Sequence, residues 1–484
     1  MDRDIVPPVE SSGQVGPAAW RLFARVSASP TAKERQLMER QSTESIVHLS
    51  SYDKWSLVAC LLGTFFLRMA SAVMGSTLQL YFGYIDSNVY ALSDTMRGVA
   101  LASFFLPELV GSPVFGAWSD RRGPKWFILL GSIFGGLGVQ VTAMTTNYAA
   151  LVLTRLLGGL STASAIPATL SYLSALTARS ESLRGRVMGL FEMATLAGTI
   201  LGIIMGGRIW DLYHTGSFTL DALIYLLSLV IFMVGMRELS MRKSDFSPSK
   251  ALERGRQALS GTFRHYLALF STPSVLRFAP AFLAVNMILG IWMNHIVGQL
   301  VSPRDHFPGQ LIHGLLANNG GAGTDISVYA ALILGVFGLG VLIWSLLIGR
   351  WRRTTVMLIS AAALFVLCGD VYALNHAPSL DQPLVAIYIG VALAALLVLS
   401  GMMPAALTFL ADVTESRTDD RGAIMGLYTI LFGFGGFLGT LIGGPFADWG
   451  AVDGILLATA LLGAVAMLLL LRLHSIDVRS STEA

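Results

Sequence analysis

The sequence predicts an all-α membrane protein: twelve transmembrane helices forming two pseudo-symmetric bundles of six. Three observations carry that prediction. Of 484 residues, 54% are hydrophobic and only 13% are charged, with a mean hydropathy of +0.64. A soluble chain of this length would divide into domains and carry a far more charged surface. Apolar runs long enough to cross a bilayer, about 20 residues each, recur along the chain. The loops between them segregate by charge, cations on one side and carboxylates on the other.

Residues 1–52 are polar, with Pro7, Pro8, Arg21, Arg25, Lys33, Arg35 and Arg40, and read as a cytoplasmic tail. No signal-peptide core lies there. The spans follow at 54–83, 94–118, 126–146, 148–174, 186–210 and 219–238, then at 277–300, 325–349, 354–375, 381–411, 422–446 and 452–472. Arg121, Arg122, Lys125, Arg184, Arg186, Arg350, Arg352, Arg353, Arg421 and the basic central loop fall on one side. Asp86, Asp94, Asp211, Asp325, Asp381, Asp448 and Asp453 fall on the other, with Arg304 almost alone among cations. That asymmetry sets both termini and the central loop in the cytoplasm of a multi-pass cell-membrane protein, plasma or inner.

An internal repeat is visible by eye. Pro167, Arg184-Gly185, Met188-Gly189-Leu190, Gly198, Gly202, Gly206-Gly207 and Asp211 recur 237 residues later as Pro404, Arg421-Gly422, Met425-Gly426-Leu427, Gly435, Gly439, Gly443-Gly444 and Asp448. A series this long in one register means two parallel copies of a helical unit. The expected division is a tail at 1–52, one half at 53–238, a cytoplasmic linker at 239–276, a second half at 277–473 and a short tail at 474–484.

Between the second and third spans stands Gly116-Ala-Trp-Ser-Asp120-Arg121-Arg122-Gly123-Pro-Lys125. Gly116 permits close helix approach, Gly123 gives the turn backbone freedom, and Asp120 suits the positive N-terminal end of a neighbouring helix. The order G-x-x-x-D-R-x-G resembles the signature loop of the major facilitator superfamily. The resemblance implies a secondary transporter with a midplane substrate site between two rocking halves. It also implies a cytoplasmic latch of Asp120, Arg121 and Arg122 against the start of the eleventh span near Arg421. The second-half counterpart, Gly349-Arg350-Trp351-Arg352-Arg353, keeps the cations without the Asp.

Glycines 198, 202 and 206, and again 435, 439 and 443, recur every four residues and line one face of their helices. Small residues at that spacing let helices pack backbone to backbone in lipid. The functional expectation is a seam across which the halves rock. The run from Gly189 to Gly207 resembles the fifth-span motif of proton-coupled antiporters in the superfamily, with Ile203 where the motif has proline. Arg155-Leu-Leu-Gly158-Gly159 is similar to the fourth-span arginine motif, with Gly158 in place of glutamine; there the resemblance links Arg155 to proton transfer.

Four charges sit inside apolar runs of the first half: Arg68, Glu108, Arg155 and Glu192. Ionisable groups in lipid are expensive and face the protein interior or a hydrated cavity. They serve either as structural locks or as a central cavity where Glu108 or Glu192 binds protons and Arg68 or Arg155 tunes that affinity. The second half offers little beyond Asp370, near an outer end, and the polar group Asn286, Asn294 and His295, which are the substrate-cavity candidates. Pro107, Pro113, Pro167 and Pro404 interrupt helices and permit bends. The loop 301–324 is either an outer lid or an inert connection.

A phosphate-binding G-x-x-x-x-G-K-[ST] motif is absent, as is any nucleophile elbow, and the two cysteines, Cys60 and Cys368, make neither a disulfide framework nor a metal site. Net charge of +3 gives no case for nucleic acid. The expectation is a monomeric, cofactor-free and metal-free secondary transporter, not an enzyme, whose partners are a small-molecule substrate, protons and the lipid bilayer. Proton-coupled efflux leads; proton-coupled uptake, or a non-transporting sensor or scaffold on the same fold, are the alternatives.

Overall fold

The computed structural model describes residues 51–178, 181–238, 273–303, 307–317, 319–415 and 421–482, with the side chains of 51–52, 120–121, 181–182, 273–274, 411, 413–415, 421–429 and 479–482 left out. Nearly all of the expected tail 1–52, most of the linker 239–276 and Arg304 lie outside the described residues.

The helices are α1 (Ser51–Asn88), α2 (Asp94–Ala102), α3 (Phe105–Arg122), α4 (Pro124–Ala143), α5 (Tyr148–Leu176), α6 (Glu181–Tyr213) and α7 (Gly216–Gly235). After the central loop come α8 (Pro273–Val301), α9 (Ala322–Leu347), α10 (Arg353–Asn375), α11 (Pro383–Leu399), α12 (Met402–Glu415) and α13 (Arg421–Thr482). Among the described residues eleven stretches are long and apolar enough to cross a bilayer, and there is no strand.

Three departures from the expected spans have local causes. The run 94–118 is not one helix but breaks at Ser103–Phe104 between α2 and α3. Pro107 cannot donate to the carbonyl four residues back, that of Ser103, and its ring crowds it. The run 381–411 breaks at Ser400–Gly401 for the same reason, with Pro404 four residues beyond Ser400. The last two runs join as α13, which leaves helical geometry at Gly450 (φ −145°) and Ala451 (φ 50°). Thr440 bonds the Gly290 carbonyl before that point and Thr459 accepts from Trp292 Nε1 after it, so α13 doubles back along α8. It then continues helical through the stretch read as a tail, and Thr354 Oγ1 lies 2.8 Å from both His474 Nδ1 and Asp477 Oδ2.

Turns follow the sequence closely. Gly123 takes φ 95° between α3 and α4, where its N–H closes on the Ser119 carbonyl and Pro124 starts the next helix. Ser93 Oγ accepts from Met96 N, and Asn147 Oδ1 from Ala150 N, each at 3.2 Å, capping α2 and α5.

Packing repeats between the halves. In the first bundle α6 lies on α1, α5 on α4 and α3, and α7 on α1 and α4. In the second, the early part of α13 lies on α8, α11 on α10 and α9, and the late part of α13 on α10. Apolar clusters fill the two, one around Tyr81, Tyr172 and Phe218 that also takes in Leu316 and Ile326, and one around Phe278, Phe282 and Met357.

Candidate site at the bundle interface

The loops 89–93, 144–147, 214–215, 302–321 and 376–382 and the bend at 450–451 share one face of the molecule, the distal face. There the bundles are joined twice by the same device. Gly207 and Gly323 meet so closely that a Cβ on either would overlap the other's carbonyl oxygen. One turn beyond Gly207, Asp211 accepts hydrogen bonds from Gly323 N (2.9 Å), Thr324 N (2.7 Å) and Thr324 Oγ1 (2.6 Å). In the repeat, a Cβ on Gly444 would lie 2.7 Å from Thr95 Cα, and Asp448 accepts from Asp94 N (2.5 Å), Thr95 N (2.9 Å) and the Thr95 hydroxyl. Each carboxylate fills orphan donors at the first turn of a helix from the opposite bundle, where the macrodipole is positive.

A polar network backs the second joint. Arg97, almost fully buried, pairs with Asp86 at 2.6 Å and donates to Ser302 Oγ at 2.9 Å; Asp94 lies at 3.4 Å. Gln299 on α8 donates to Asp94 Oδ2 at 2.7 Å, and His313 Nδ1 lies 2.9 Å from Gln299 Oε1. Most of loop 301–324 is tied down in this way: Gly314 N donates to the Gln299 carbonyl and Leu311 N to that of Asn375.

Toward the proximal face several glycines of the facing helices α6 and α9 have open space beside them among the described residues. Gly185 and Gly189 on α6, and Gly335 and Gly338 on α9, would meet no neighbouring atom within 4 Å through an added Cβ. A Cβ on Gly116 would lie 3.4 Å from Pro167 Cβ and Arg122 is exposed, while the side chains of Asp120, Arg121 and Arg421, the rest of the expected latch, lie outside the described residues.

The glycine stripes need a correction. Gly198, Gly202 and Gly206 pack on the α1 backbone at Phe65, Met69 and Val73, and Gly435, Gly439 and Gly443 pack on α8 at Asn286, Met287 and His295. Both stripes lie inside a bundle rather than between bundles. The interface belongs to Gly207 and Gly444, rotated one residue around the same helices.

Of the four expected charges, the structure brings three near one another. Arg155 on α5 is 8% exposed, with its guanidinium 4.9 Å from the centre of the Phe104 ring. The Pro107 break creates that contact: it presses the Phe104 carbonyl onto Gly159, where only glycine leaves room. Arg68 on α1 and Glu108 on α3 are half-buried and within each other's electrostatic reach. Glu192 stands apart, exposed on α6. Sequence reasoning missed a fifth group, Asp221 on α7, which is 0% exposed. As the lone acid in an apolar run, it was visible; its depth was not.

Asn294 Nδ2 donates to Thr440 Oγ1 at 2.9 Å, and the buried His295 ring places Nε2 2.8 Å from the Thr440 carbonyl. Asn286 Nδ2 donates to the Phe282 carbonyl at 2.7 Å. Asn294 and His295 thus join α8 to α13, while sharing a small cavity with Asp94, Arg97 and Gln79. Among the described residues no cluster of His, Cys, Asp and Glu is placed to hold a metal.

The sequence model of the Major Facilitator Superfamily matches residues 60–302 and 307–483. Multidrug resistance protein 2 of Bacillus subtilis is 34% identical over 118 residues, 24% of this chain and 29% of that one. The match therefore spans under a third of that relative's length. The uncharacterized MFS-type transporter YuxJ of the same organism is 23% identical over 410 residues, 83% of this chain and 94% of that one. Among solved structures, a bacterial homolog to the human lysosomal transporter Spinster, in an inward-facing and unoccupied conformation, superposes with a TM-score of 0.64 at 14% identity, covering 89% of this chain and 98% of that one.

Proposed function

This chain belongs to the Major Facilitator Superfamily, and from that premise we propose that it is a proton-driven exporter of a small, amphipathic molecule, working by alternating access. The observation that carries the mechanism is the one-sided closure. Two symmetry-related carboxylate caps, Asp211 on α9 and Asp448 on α2, hold the bundles together at the distal face. Gly185, Gly189, Gly335 and Gly338 stand clear of any described neighbour toward the other face. A transporter in this state offers its midplane site to the proximal side only.

The moving parts are the halves 53–238 and 277–473, joined by the linker 239–276. The chain crosses the membrane twelve times. The last apolar stretch, Ile430–Val478, has 49 residues; as one straight helix it would rise about 70 Å, over twice the hydrocarbon thickness of about 30 Å. The bend at Gly450–Ala451 divides it into two crossings. The cationic loops set the proximal face, and both termini, in the cytoplasm, so the closed face is the outer one. Asp120, Arg121 and Arg122 supply the opposite latch, closing near Arg421 when the distal joints open.

Export is favoured by the relatives named as multidrug resistance proteins. Proton drive rests on ionisable groups of the first bundle, with Glu108 near Arg68 as the coupling carboxylate and Glu192 exposed on α6. Purified protein in vesicles with an imposed pH gradient tests this against a panel of lipophilic cationic and neutral dyes. The expected result is dye moving against the direction of proton flow. Movement with the protons would make the chain a symporter. Glu108→Gln and Glu192→Gln variants that both kept normal coupling would remove these carboxylates from the mechanism.

A further inference from the structure

Asp221 lies wholly inside the first bundle, and neither of its carboxyl oxygens has a hydrogen-bond partner among the described residues. A carboxylate anion cannot be left that way in an apolar interior; a neutral acid can, because its uncompensated polarity is far smaller. One helical turn along the same face stands Tyr225, which with Ser71 and Arg155 lines a small cavity enclosed by α1, α4, α5 and α7. Gly135 makes room for the Tyr225 ring, since a Cβ there would collide with it. Arg155 is the complementary orphan: its buried Nε also lacks a partner, and its charge rests on the Phe104 ring. Among the described residues one bundle thus holds an acid without a donor and an arginine Nε without an acceptor, with Tyr225 within electrostatic reach of both.

We infer that Asp221 is a proton-binding site, protonated in the conformation described here, and that it gives its proton to water in the Tyr225 cavity when α5 and α7 shift to bring Arg155 and the new carboxylate together. The inference rests on the proton-driven reading above and assigns it a site that is independent of the Glu108–Arg68 pair. The other charged and titratable groups facing this region are few. On α1 they are Arg68, which reaches Tyr225 electrostatically, and Tyr81, whose ring packs on Phe218. On α4 there is only Lys125, at the far end, bonded to the Met233 and Met236 carbonyls. On α6, Asp211 is committed to Thr324, and Glu192, Arg208 and His214 are exposed.

Two measurements on the full chain in proteoliposomes test the site. Infrared difference spectra between the parent protein and Asp221→Asn at neutral pH are expected to show loss of a protonated-carboxyl C=O band. Loss of carboxylate bands instead, or no difference, would overturn the assignment. Spin-label distances across the distal face are expected to lengthen as pH rises in the parent and in Asp221→Glu, and to stay short in Asp221→Asn. An Asn variant that opened like the parent would separate Asp221 from the conformational change and overturn its role. A parent that showed the infrared band but ignored pH would instead count against proton drive as a whole, leaving the protonated site standing.

Discussion

Asp211 caps the first turn of α9 through Thr324, its Oδ2 accepting both the backbone N–H at 2.7 Å and the hydroxyl at 2.6 Å. Asp448 meets Thr95 on α2 through the same pair of groups, 237 residues on in the repeat. A carboxylate at a helix N-terminus gains from both the orphan donors and the macrodipole, about 1 kcal/mol from each source. Both joints span the two bundles, so their free energy bears on the equilibrium between conformations rather than on folding of either bundle.

Asp211→Ala and Asp448→Ala are therefore expected to release the distal face. Each single variant should raise the population open on that side by roughly 30-fold, since about 2 kcal/mol corresponds to that factor, and the double variant by roughly several hundred-fold. Spin-label distances across the distal face measure the ratio. An unchanged distribution in the double variant would mean that the caps hold nothing shut.

The two sets of glycines should answer differently to a wedge. Gly207→Val places side-chain atoms against the Gly323 carbonyl between bundles, whereas Gly202→Val places them against Met69 within one. The first is expected to block distal closure, leaving introduced cysteines on that face reactive, with little change in melting temperature. The second is expected to lower the melting temperature or the folded yield by disrupting α1–α6 packing. Equal losses of stability in both would remove the distinction between joint and seam.

Much of this arrangement could be read from residue types, and the remainder had a specific reason for staying hidden. Pro107 and Pro404 predicted interruptions, and the breaks at Ser103 and Ser400 fall where a missing N–H and a crowded carbonyl put them, whereas Pro113 and Pro167 lie inside the unbroken α3 and α5. The 237-residue repeat predicted two like bundles, and the α6-on-α1 and α13-on-α8 packings match. The stripe of Gly198, Gly202 and Gly206 announced a close approach without naming the neighbour, because periodicity fixes a face and not what lies opposite. Asp211 and Asp448 were visible as outer acids in register, but their partners Thr324 and Thr95 lie 113 and 353 residues away. Asp221 sits about a turn and a half inside α7, near enough to the end for a carboxylate to reach headgroups; only the packing of α7 on α1 and α4 shows that it is enclosed.

Asp120→Ala is expected to abolish most transport while leaving insertion and folding intact. The proposed latch sets the Asp120 carboxylate against the helix N-terminus near Arg421 when the proximal side is closed. Loss of that attraction should favour the state already closed distally. Dye flux in vesicles, normalised to reconstituted protein, checks this; full flux from a well-folded variant would remove the proximal latch.

Arg97 is the one charge whose removal should be felt as stability. It is almost fully buried and neutralises Asp86 at 2.6 Å, with Asp94 at 3.4 Å on its other side. Taking away one member of a buried pair strands the other, which costs about 3–5 kcal/mol, whereas replacing both is far milder. Arg97→Met should therefore lower the melting temperature sharply. Asp86→Asn added to it should restore much of the loss, because the Asn keeps the oxygen that accepts from Leu92 N at 2.8 Å while shedding the charge. The double-mutant cycle separates this from simple packing damage: additive losses from the two substitutions would mean that the pair is not coupled. Strong coupling would place the charge balance of Asp86, Asp94 and Arg97 directly behind the α2 terminus that Asp448 caps, so distal closure should weaken together with the melting temperature.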